Sequence, residues 1–166
     1  MKHHEYRTIT GRKLEWSHLT DGEREFLASV NREYDKTPTW SEFGAWWAAE
    51  FKNSSLPLES VAYRICQDLE ARLGIAQRMV APPDYRDYIA DLIDERYGSR
   101  YRFCKETGVD PGHLSRVFAS RSELSLQSLQ RILQKLHAAL VIQPEDVIEA
   151  EASPKRAAKA LADAAG

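Results

Sequence analysis

Long apolar runs are missing from this chain: none approaches the roughly 18–20 residues that a membrane span needs, so no membrane partner is expected. The opening stretch MKHHEYRT has no apolar segment of the kind a secretory signal carries. Cysteine is scarce. Cys66 and Cys104 are the only two, far apart and each inside a helical pattern, which argues against a disulfide framework and for buried thiols in a reducing cytoplasm. A surplus of one charge is missing as well: 23 Lys and Arg stand against 25 Asp and Glu, a net charge of -2. The chain as a whole therefore does not advertise nucleic-acid binding, although whole-chain charge can hide a local patch. No phosphate-binding glycine loop, nucleophile elbow or metal-ligand spacing occurs. An enzyme reading thus has no site to rest on, and neither a cofactor nor a metal is expected. What the chain does have is 43% hydrophobic residues in a length of 166, enough for one ordinary domain or a small domain with an extension.

Helical patterning dominates. Tyr6, Thr8, Ile9 and Thr10 suggest a short edge strand. Thr20-Asp21-Gly22-Glu23 is a capping box ahead of Phe26, Leu27 and Val30. A second helix from Thr39 to Phe51 is rich in aromatics: Trp40, Phe43, Trp46, Trp47 and Phe51. A third spans Leu58 to Leu73, with Gly74 expected as its C-cap. Residues 1–80 thus read as a small helical module for dimerisation or partner binding. Ala81-Pro82-Pro83 marks the boundary. Four helical segments follow, beginning near Asp84, Ser99, Asp110 and Ser125. The last is expected to bury Leu126, Leu129, Ile132, Leu133, Leu136 and Leu140, with Val141-Ile142 as a further short strand. Residues 144–166, acidic and then alanine-rich, read as a flexible tail.

The window from Arg100 to Ala119 carries the functional argument. Two short helices joined by Gly108-Val109-Asp110 fit a helix-turn-helix, which needs particular residue types at fixed offsets. Cys104 is small enough to lie where the helices cross, and Gly108 tolerates positive φ. Phe103, Val109, Leu114 and Val117 fill the apolar positions.

The stretch SRYRFCKETGVDPGHLSRVFASRSELSLQSLQRIL, Ser99 to Leu133, resembles the lambda-repressor-like, Cro-type (XRE) DNA-binding family. With the helix from Asp84, the resemblance covers residues 84–142. It implies an all-α, five-helix domain over residues 81–143, with the helix from Pro111 lying in the major groove. Ser120-Arg121-Ser122 departs from the Asn-Gly loop often found in the family.

On a 3.6-residue wheel, Gly112, Arg116 and Ala119 face away from Leu114, Val117 and Phe118, flanked by His113 and Ser115. Arg116 is the candidate for reading a base edge, and Gly112 would let the helix backbone approach the DNA closely. Arg100 is placed on phosphate or a flanking base, and Arg102, Lys105 and Arg121 on phosphate. Ser122 and Ser125 could add contacts at the next helix. From Ser99 to Arg121 five basic residues face two acidic ones, net +3, whereas Asp84 to Gly98 carries two basic and five acidic, net -3. His113 has no ligand partner at metal spacing, and the Asp87, Asp91, Asp94 and Glu95 row reads as a solvated helix face. The function expected is a homodimeric transcriptional regulator on inverted-repeat, double-stranded DNA operators. The competing readings are a DNA-binding antitoxin that neutralises a cognate toxin protein and a helical scaffold that touches no DNA.

Overall fold

The structure, a computed structural model, describes residues 5–142, 144, 147 and 153–165. It is all-α apart from one two-stranded hairpin. The chain divides into two compact units: residues 1–82 with 145–166, and residues 83–144.

In the first unit, β1 (Glu5–Arg7) pairs antiparallel with β2 (Lys13–Glu15), Tyr6 opposite Leu14. Thr8, Ile9 and Thr10, read as strand from their side chains, lie instead in the turn, which the Thr8 amide closes on the Arg12 carbonyl at 2.9 Å. A 3-10 turn (Trp16–His18) leads to α1 (Asp21–Tyr34), α2 (Trp40–Ser54) and α3 (Val61–Ala76). The expected capping box is present at Thr20 and Glu23, and a second one at Thr39 and Glu42. Gly74 is not a cap. It lies buried within α3, where a Cβ would come within 2.7 Å of Val80 and 3.2 Å of Trp40, and the helix runs on to Ala76, so the glycine makes room for those two side chains and does not end the helix. Leu58 falls outside α3 and is exposed.

The aromatics of α2 are core material. Trp47 and Phe51 form edge-on contacts with one another and with Tyr63, and the Trp47 indole donates to Glu70 at 2.8 Å. A buried polar node fastens the hairpin to α3. The Asp68 carboxylate accepts from the Tyr6 hydroxyl, the Ile9 amide and Arg72 Nε, each at 2.6 Å. Arg72 also donates to the Arg7 carbonyl at 3.0 Å. Burial opposes the Arg72 charge, but Asp68 outweighs it and holds the guanidinium above its usual range.

The supposed flexible tail contains a helix, α8 (Pro154–Ala165), packed on α1, α3 and β1 with Ala157 and Leu161 buried. Its alanines hid this role: a stripe of small side chains is enough when the helix lies close against its neighbours.

The second unit comprises α4 (Tyr85–Tyr97), α5 (Arg100–Thr107), α6 (Pro111–Phe118) and α7 (Leu126–Lys135). These are four helices among the described residues, against the five that the resemblance implies. Ile89, Ile93, Phe103, Cys104, Leu114, Ile132, Leu133 and Leu136 form the core. The helix expected to reach Leu140 stops at Lys135, because His137 adopts φ 46° and the Ala138 amide closes back on the Leu133 carbonyl at 2.8 Å. Leu140, expected inward, is therefore exposed; Leu126, at the opposite end of α7, is exposed as its first helical residue, and Val141-Ile142 forms no strand.

Candidate nucleic-acid interface

The site is built on α5 and α6. Ser99 opens α5 by accepting the Arg102 amide at 3.2 Å. One turn later Phe103 and Cys104 face the core, the small thiol filling the place expected of it. Burial, with the Asp110 carboxylate adding to it, pushes the Cys104 thiol up, so it serves as a packing group and not as a thiolate. Gly108 ends the helix at φ 74°, where any side chain would be strained. Asp110 then caps α6 twice, its carboxylate accepting the Gly112 amide at 3.2 Å and the His113 amide at 2.8 Å. Pro111 supplies the first helical residue, where its missing N–H costs nothing.

The far end of α6 resolves the loop that departed from the family pattern. Ser120 takes φ 56°, its amide bonds the Val117 carbonyl at 3.0 Å, and the Arg121 amide bonds the Arg116 carbonyl at 2.9 Å. This is a Schellman closure with serine in the left-handed position.

Leu114 and Val117 are buried, whereas Gly112, Ser115, Arg116 and Ala119 are exposed and His113 is half-buried. The Arg116 side chain makes no hydrogen bond or ion pair with any described residue. Its guanidinium leans toward the start of α6, with Nη1 3.6 Å from where a Gly112 Cβ would stand. Arg100, also exposed, lies over the Phe118 ring at 4.5 Å from its centroid, joining the beginning of α5 to the end of α6.

The remaining candidates divide. Lys105 and Arg121 are exposed, and Ser122 is half-buried. Arg102 is exposed but its Nε donates to Glu106 at 2.7 Å, a bond that raises the guanidinium pKa and neutralises part of its charge within α5. Ser125 caps α7, accepting the Ser128 amide at 3.1 Å.

Three features escaped the sequence reading. Phe118 was counted as plain core and is half-buried beneath Arg100. Tyr101 is 75% exposed beside Arg100, although it stands three residues before the buried Cys104 on a neighbouring side of α5, so a helical wheel gives no sign of it. Arg86 on α4 reaches the α6–α7 loop across 34 to 37 residues of sequence, a separation that no local pattern marks.

Among the described residues no group of three or more His, Cys, Asp or Glu is placed to hold a metal ion, and no helix is long and apolar enough to cross a membrane. The chain matches no protein-family model, no curated protein and no solved structure.

Proposed function

We propose that the chain binds double-stranded DNA through α6 and regulates transcription in the cytoplasm, as a homodimer on inverted half-sites. The observation that carries the reading is the exposed face of α6. A helix held at both ends by its own caps presents an arginine with no internal partner, beside a glycine, on the basic side of its unit. An arginine fork of this kind can donate two hydrogen bonds to guanine O6 and N7. Arg100, Lys105 and Arg121 surround it at positions suited to phosphate. An eight-residue helix reads too few bases for tight binding alone, so a two-fold pair on half-sites about 34 Å apart supplies the rest.

Titration of the full chain against duplexes from upstream of its own gene, at several salt concentrations, tests the reading. The logarithm of the affinity should fall linearly with the logarithm of salt concentration, by about 0.9 in slope for each phosphate neutralised. Binding that ignores salt, or no binding to any duplex even at low salt, would sink it.

A further inference from the structure

Arg86 uses its guanidinium on a segment that carries one of the proposed DNA contacts. It stands in the first turn of α4, and its side chain is only 18% exposed. Nη1 donates to the Ser120 hydroxyl at 2.7 Å, and Nη2 donates to the Glu123 carboxylate. Nε donates to the Tyr85 hydroxyl at 3.4 Å, and that hydroxyl donates in turn to the second Glu123 oxygen at 2.8 Å. The Leu124 amide closes the set on the Tyr85 oxygen at 3.5 Å. Both ends of the loop after α6 are thereby fixed to α4. Ser120, in its left-handed conformation, is gripped at one end and Glu123 and Leu124 at the other. Between them stand Arg121 and Ser122, whose backbone has no choice but to follow.

The same network manages charge. Glu123 is the acidic residue in a loop that otherwise presents Arg121, and a free carboxylate there would repel phosphate. Arg86 offsets that charge, sharing its guanidinium with Asp84 at 3.5 Å. Two acceptors at set positions suit a planar fork and not a point charge, which is why lysine would not serve equally.

We infer that Arg86 is a positioning residue for DNA binding: without reaching the duplex, it holds the 120–124 loop so that Arg121 meets phosphate. The inference rests on the DNA-binding reading. Its test uses the full chain and a duplex enriched by the wild-type protein from a random-sequence pool, with affinity measured over a salt series for Arg86→Gln, Arg121→Ala and the double variant. Arg86→Gln should weaken binding about tenfold and lower the salt slope by about one phosphate's worth, as Arg121→Ala does. The double variant should bind no worse than either single one, because both lose the same contact. Ser120→Gly gives the same information without replacing Arg86: it deletes the hydroxyl while easing the positive φ, and it too should be non-additive with Arg121→Ala.

Additive losses for both variants, or an unchanged salt slope in Arg86→Gln, overturn the inference and leave DNA binding standing; a role in stability alone predicts that pattern. If the wild-type chain enriches no duplex, the DNA reading fails and this inference falls with it.

Discussion

At Gly112 a methyl group would make ordinary contact with Arg116 at 3.6 Å and with Asp110 at 3.7 Å, so nothing in the fold excludes alanine. Glycine in a helix costs up to about 1 kcal/mol relative to alanine. The fold gains nothing from this residue, whereas the close approach to DNA proposed for α6 would. Gly112→Ala is expected to raise the stability of the second unit by a few tenths to about 1 kcal/mol in thermal unfolding while weakening DNA binding. A variant that gains stability and binds DNA as before would remove Gly112 from the interface. Arg116→Ala should change little in stability, since the side chain is exposed and unpaired. It should cost about 1–3 kcal/mol of discrimination at a single base pair, seen as one relaxed position when duplexes are selected anew. These residues were legible in the sequence because an eight-residue helix with a fixed start has only one possible outward face.

Among the elements, α1 and α3 share one carboxylate. Glu23 accepts the Thr20 amide at 2.9 Å as the reciprocal half of its capping box, and its other oxygen accepts the Ala62 amide at 3.3 Å in the first turn of α3. Burial raises the Glu23 pKa, but the bonds from Thr20 and Ala62 outweigh it and hold the carboxyl below its ordinary range. A depressed folded-state pKa stabilises above the unfolded value of about 4.3, and that contribution is lost as pH falls through the folded value. The first unit should therefore lose stability in acid below about pH 4, and Glu23→Gln should flatten that part of the profile in urea unfolding followed across pH. An unaltered acid limb in the variant would assign the loss to other carboxylates. The half of this arrangement that lies within four residues could be read from Thr20 and Glu23 alone. The half that reaches Ala62 could not, and neither could the node joining Tyr6 to Asp68, because both depend on which helix ends the fold brings together. Capping is written locally, whereas tertiary pairing is not. The expected C-cap at Gly74 went astray for the same reason: a glycine that ends a helix and one that admits a neighbouring tryptophan look alike in sequence.

At the scale of the whole molecule, Trp16, Trp40, Trp46 and Trp47 all belong to the first unit, and residues 83–144 contain no tryptophan. Indole fluorescence thus follows that unit alone. Leu161→Ala, a truncation of a side chain only 1% exposed, should destabilise it by about 2–4 kcal/mol, shifting the fluorescence transition. Loss of α4–α7 helicity, followed by amide exchange, should keep its original midpoint; a common shift of both would mean that the two units unfold as one. The sequence marked the boundary at Pro82-Pro83 but not the return of the chain, since a segment of alanine and lysine looks solvated until a surface is found for it. That return has a mechanical consequence. The second unit is an insert, leaving the first unit at one point and re-entering it at another, so severing the backbone once at an engineered cleavage site between Ala81 and Pro82 does not set it loose. The fragment beginning at Pro82 still carries α8 seated against α1, and the two pieces should co-elute until the grip of that terminal helix is broken as well.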